Sequence, residues 1–140
     1  MKIPDIFNCT PDELSALPCL QPDVIVNPGV AYIVSKRANQ LRVRTMAATV
    51  WGDRGARINT ISPGIIVTPL AYDEFESPGN TYQNMIAASP ARRAGTADEI
   101  AAAGAFLLGP DAAFITGSDL LVDGGAIAAL KSGRFGLQIH

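Results

Sequence analysis

The spacing of apolar and polar positions changes along this chain, and each spacing predicts an element. Residues 1–27 show little periodicity. Pro4, Pro11, Pro18 and Pro22 punctuate them at short intervals, which disfavours long helices and central strands. The exception is TPDELSAL. There Thr10, then Pro11 and two acids, have the form of an N-cap with proline at the first helical position, and a short helix is expected. From residue 28 the pattern sharpens. Pro28 opens a helix, Val43, Met46, Ala47 and Val50 fall on one face at i, i+3, i+4, i+7, and Trp51-Gly52 ends it with Gly52 as the residue after the cap.

A β-branched run, GARINTISPG, lies between Gly55 and Pro63-Gly64 and predicts a short strand entering a turn. Residues 65–95 are mixed and broken by Pro69, Pro78 and Gly79, with a helix expected over Thr81 to Ala88. In TADEIAAAGAFLLG, Thr96 caps a helix, Asp98 and Glu99 occupy its first turn, and Gly109-Pro110 stop it. GSDLLVDGG reads as a last short strand between glycines. Helix, strand, irregular segment, helix and strand in alternation predict a parallel sheet with helices packed on it. Two evident strands are fewer than a complete doubly wound domain needs.

Composition narrows the function classes. The chain has 140 residues, 48% of them apolar, enough for a core, and a formal net charge of −2. That balance carries no basic footprint for nucleic acid. Lys36, Arg37, Arg42 and Arg44 cluster on one predicted helix and read as a solvated face. Cys9 and Cys19 are ten apart, and the single histidine is His140, so no closed set of metal ligands can be assembled. No apolar run is long enough for a bilayer and no secretory leader pattern is present. The expected setting is the cytoplasm with both thiols free, and Asn8-Cys9-Thr10 is a chance sequon.

One spacing carries chemistry. Tyr32 and Lys36 in YIVSK stand at i and i+4, which puts both on one helix face. A free phenol is a poor acid or base near neutrality, and a neighbouring ammonium favours its anionic form. The pair would suit general acid–base work. By itself the spacing occurs often by chance and is more commonly that of two surface residues.

The wider pattern goes further. YIVSK, then NTISPGIIVTP, then GTADEIAAAGAFLLGPDAAFITGSDLLVDGG occur in this order and together resemble the carboxyl-terminal half of the short-chain dehydrogenase/reductase family, over residues 30 to about 127. The resemblance implies an α/β fold, the C-terminal half of a Rossmann-type doubly wound parallel sheet with flanking helices, in residues 28–140 after an irregular segment 1–27. It implies NAD or NADP as cofactor and a small-molecule substrate whose hydroxyl and carbonyl forms are interconverted by hydride transfer. Tyr32 matches the family's proton-exchanging tyrosine. Lys36 matches the lysine that holds the nicotinamide ribose hydroxyls and eases ionisation of the tyrosine. Pro63 and Gly64 match the turn lining the nicotinamide pocket, Ile66 the residue touching the carboxamide, and Thr68 the threonine reaching the cofactor amide or phosphates. Asn59 matches a structural asparagine. Asp119 to Gly125 matches the last strand, usually an oligomer contact, so a homo-oligomer or association with a related full-length subunit is expected, and neither nucleic acid nor membrane.

Parts of the family pattern have no match. The glycine-rich turn that brings backbone to a pyrophosphate is missing. Gly124-Gly125 follows a strand but lacks a third spaced glycine and a later acid, and reads as a C-terminal turn. LPCLQPDVIVNPG, ahead of Tyr32, holds no serine to polarise a substrate oxygen. The helix asparagine of the proton relay is also unmatched. The chain alone is therefore expected to be catalytically silent, and a non-catalytic interaction module is the alternative. The Ala71–Ala88 loop corresponds to the family's variable lid and names no substrate.

Overall fold

The computed structural model describes residues 11–69 and 81–134. The sequon, the Thr10 cap, Cys9, His140 and residues 71–80 of the lid loop lie outside them. The chain divides into two compact units. The first comprises Met1–Ile58 with Thr116–Ser118, and the second Asn59–Ile115 with Asp119–His140.

In the first unit, helix α1 spans Pro11–Ser15 and a 3-10 turn covers Pro18–Leu20. Helix α2 runs over 21 residues, Pro28–Ala48. Its start follows from sequence. Asn27 is extended and its side chain accepts the Val30 N–H at 3.0 Å, with Pro28 next in the first turn. Its end differs from expectation. The helix stops at Ala48, before Trp51-Gly52, because the N–H groups of Thr49 and Trp51 both close on the Met46 carbonyl. The chain then tightens into a 3-10 turn at Gly52–Arg54, and Gly55, at φ 67, takes the left-handed conformation expected of Gly52. Val50 thereby leaves the helical face and is half exposed.

In the second unit, strands β1 (Thr60–Pro63) and β2 (Asp119–Val122) pair in parallel, Thr60 opposite Asp119 and Pro63 opposite Val122. A polar cluster fixes that register. Asp119 Oδ1 accepts the Thr60 hydroxyl at 2.7 Å, and Ser62 Oγ donates to the same carboxylate at 2.8 Å. Helix α3 (Thr81–Ala88) matches the predicted range, as does α4 (Ala97–Leu108) with its Thr96 cap and Gly109 stop. A further helix, α5 (Ala126–Lys131), was not expected. Asp123 starts it by accepting the Gly125 and Ile127 N–H groups at 2.9 and 2.7 Å. Helices α3 and α5 pack together, and Met85, Ala88, Ala126 and Leu130 line a small hollow there.

The core among the described residues is Leu107, Ala112 and Ala129, with Ser89 the buried polar residue. Helix α4 faces β1 at Gly104, where an added methyl would stand 3.9 Å from Ile61 Cδ1, an ordinary contact. Gly104→Ala is therefore expected to raise stability by up to about 1 kcal/mol through helix propensity, read as a higher urea midpoint. A lowered midpoint would contradict this packing.

Candidate functional site

Two groups of predicted residues are each well defined, one in each unit. In the first unit, the Asn27 cap and Pro28 set the start of α2, which places Tyr32 and Lys36 one turn apart. Lys36 Nζ stands over the Tyr32 ring, 5.2 Å from its centroid, within cation–π reach. Ser35 Oγ donates to the Tyr32 carbonyl at 2.8 Å. Both side chains are open to approach, and Tyr32 is 64% exposed. The i, i+4 expectation holds: the ammonium reaches the phenol ring without help from another element.

In the second unit, β1 delivers Pro63 and Gly64. The Gly64 N–H donates to the Val122 carbonyl at 2.9 Å, extending the sheet by one bond. A methyl group on Gly64 would lie 2.6 Å from Asp123 Cα and 2.9 Å from Asp123 Cβ. The glycine lets two backbones approach closely. Two residues on, Ile66 forms a parallel bridge with Gly95. The bridge is made by the Gly95 N–H to the Ile65 carbonyl at 2.8 Å and the Val67 N–H to the Gly95 carbonyl at 2.9 Å. Alternation along an extended chain turns the N–H and C=O of Ile66 itself to the other side. Among the described residues that donor and acceptor have no partner. Thr68 follows, half-buried.

An adjacent donor and acceptor on one residue match the complementary groups of a primary carboxamide. A primary carboxamide is therefore a chemical match for the backbone of Ile66. The neighbouring hollow is small, about 80 Å³, and is lined by Gly64, Ile66, Arg93, Glu99 and Asp123 among others. Pockets for drug-sized ligands run to ~300–1,000 Å³, so this hollow is smaller than an ordinary ligand pocket.

Sequence reasoning missed what surrounds Ile66. Arg93 lies outside any helix, where no periodicity marks it, yet its guanidinium meets Glu99 with both terminal nitrogens, at 2.8 and 2.6 Å. Glu99 also accepts the Thr96 N–H at 2.9 Å, completing a capping box. The T-x-x-E spacing was the available signal. The Arg93 guanidinium, then the Thr96 N–H, hold the Glu99 carboxyl down at about 2. Among the described residues no group of acids, cysteines or histidines could hold a metal ion, and no helix is long and apolar enough to cross a membrane.

A family model for enoyl-(acyl carrier protein) reductase matches residues 20–126. A short-chain dehydrogenase/reductase of Alternaria brassicicola is 40% identical over 92% of this chain and 47% of its own length. A D-threitol dehydrogenase of Mycolicibacterium smegmatis is 41% identical over 73% of this chain and 38% of its own. The chain thus spans about half, or less, of these relatives. A short-chain type dehydrogenase/reductase from Mycobacterium ulcerans superposes with a TM-score of 0.64 at 33% identity, over 70% of this chain and 35% of that one. A 4-hydroxyisoleucine dehydrogenase complexed with NADH gives 0.62 at 33% identity, over 70% and 40%. On the matched span and these likenesses, the chain belongs to the short-chain dehydrogenase/reductase family of oxidoreductases and carries part of its Rossmann-type fold.

Proposed function

We propose that this chain supplies the proton-transfer pair and the nicotinamide-facing loop of a cytoplasmic NAD- or NADP-dependent oxidoreductase. The reaction interconverts a hydroxyl and a carbonyl on a small molecule. The observation carrying this reading is Lys36 Nζ over the exposed Tyr32 ring, 5.2 Å from its centroid. The relative named for D-threitol favours an alcohol as the substrate class, and the NADH complex favours a nicotinamide dinucleotide.

When bound, the cofactor supplies the hydride acceptor or donor. The Tyr32 oxygen, acting as phenolate, takes the proton from the substrate hydroxyl as its carbon is oxidised, and the resulting phenol returns it in the reverse direction. Lys36 provides the positive charge that a phenol oxygen needs while it carries negative charge, and holds the ribose hydroxyls. Ile66 offers its backbone N–H and C=O to the carboxamide, with Pro63 and Gly64 as the adjoining wall and Thr68 beyond. These 140 residues contain no glycine-rich turn for a pyrophosphate and no serine at the matching place before Tyr32.

A second reading is an association module, pairing with its own copy or with a related full-length subunit. It is favoured by the exposed apolar side chains of Ile33, Leu108 and Phe114 and by strands left half-buried where parallel sheets are ordinarily covered on both faces. Two measurements separate the readings. The 140-residue chain, titrated with NADH and NADPH by fluorescence, is expected to show no saturable binding below about 1 mM, and light scattering to show a mass above the monomer. Saturable binding would mean these residues suffice for the cofactor, and a strict monomer would remove the second reading. The native polypeptide that carries these residues is expected to reduce NAD or NADP with a panel of polyols and cyclic alcohols. Reduction of neither cofactor would overturn the first reading.

A further inference from the structure

The stretch from Ser89 to Glu99 is built to hold one point in place. Ser89 is 4% exposed, and its hydroxyl donates to the Ile86 carbonyl at 2.8 Å. The same Ser89 oxygen and the Ser89 carbonyl both accept the Arg92 N–H, at 3.2 and 3.1 Å. Arg92 sits at φ 52, a left-handed conformation that a bulky L-residue adopts only when its surroundings impose it. The Ala91 N–H donates to the Gly124 carbonyl at 3.0 Å, tying the turn to the segment after β2. The turn delivers Arg93, whose fork meets Glu99, and Nη1 also donates to the Ala94 carbonyl at 3.1 Å. Glu99 returns a bond to the Thr96 N–H. Residues 93 to 99 thus close on themselves, and Gly95, enclosed by that closure, makes both bridge bonds to the Ile66 strand.

The ion pair is a poor candidate for global stability. Its side chains are 58% and 43% exposed, and exposed pairs contribute little. A bidentate pair does fix direction, because two parallel N–H···O bonds leave the guanidinium plane no freedom to turn. We propose that Arg93 and Glu99 are positioning residues: their closure holds Gly95 where it orients the backbone N–H and C=O of Ile66, unpartnered among the described residues, toward the cofactor carboxamide. The role of that carboxamide rests on the function proposed above, whereas the closure of 93–99 onto Ile66 does not.

Amide hydrogen exchange on the 140-residue chain tests the closure. The Gly95 and Val67 amides donate the bridge bonds, and the Gly64 amide, donating to Val122 in the same unit, is the internal reference. Arg93→Ala leaves the capping box intact. Glu99→Gln keeps a side chain able to cap but removes the charge. Both are expected to speed exchange at Gly95 and Val67 by roughly tenfold or more with Gly64 unchanged, and Arg93→Lys to restore part of the protection. Unchanged exchange at Gly95 and Val67 overturns the proposal. So does equal acceleration at all three amides, which marks a general loss of stability. In the native polypeptide, the same variants are expected to raise the cofactor KM about 2- to 10-fold with kcat held, the size of one or two neutral hydrogen bonds. A normal KM in an active polypeptide with accelerated exchange overturns the link to the cofactor. If the unsubstituted polypeptide lacks turnover, the proposed function fails, and exchange still decides the closure.

Discussion

Tyr32→Phe is expected to lower kcat of the native polypeptide carrying these residues by about 10²- to 10⁴-fold, the range for loss of a positioned general acid–base, while cofactor KM stays within about twofold. The substitution removes one oxygen and leaves the ring. Lys36 Nζ still has an aromatic face beneath it, since its contact is with the ring. Helix α2 keeps its Asn27 cap and the Ser35 bond to the residue 32 carbonyl, neither of which uses the phenol oxygen. The loss therefore reports proton transfer and not folding. Steady-state kinetics in both reaction directions is the measurement, because one group that moves the proton each way must fail each way. A Tyr32→Phe enzyme with near-normal kcat would strip Tyr32 of its role and leave Lys36 a surface cation.

How much of this could be read from sequence depends on the range of the interaction. Local signals were legible. Thr96 before Asp98 and Glu99 announced α4, Asn27-Pro28 lies where α2 begins, and the pair at 32 and 36 needed only the helical repeat to meet. The exit from α2 was misplaced because Trp51 closes back on Met46, and glycine punctuation does not encode which carbonyl an amide chooses. The surroundings of Ile66 were illegible for another reason. The bridge to Gly95 joins residues 29 apart in sequence through backbone atoms alone, so no side-chain pattern records it. Arg93 and Glu99 are six apart, a spacing that belongs to neither helix nor strand. The Asp119 cluster with Thr60 and Ser62 depends on strand register, which two short apolar runs leave open.

Gly64→Ala is expected to destabilise the second unit by about 1–3 kcal/mol, the cost of forcing an extra carbon into packed structure, and to lower Tm by several degrees. The sequence shows a proline-glycine turn, which suggests that glycine is there for conformation. The structure gives a different reason. Gly64 has no positive φ, and the obstacle is the Asp123 backbone, 2.6 Å from where a methyl would sit. A side-chain end could swing away, but Asp123 Cα cannot. Asp123 is held by its bonds to the Gly125 and Ile127 amides at the start of α5, and the Gly64 N–H is bonded to Val122 just before it. The end of β1 must therefore part from the end of β2, and the displacement runs directly into Ile66, two residues on. Gly104→Ala in the same unit is the matched control, because it adds the same carbon where 3.9 Å of room exists. Paired thermal melts should move in opposite directions, with the Gly64→Ala chain also losing protection at the residue 64 amide. If both variants melt alike, close backbone approach at Gly64 does not set the geometry of the loop that carries Ile66, and the turn's conformation alone would have to explain the glycine.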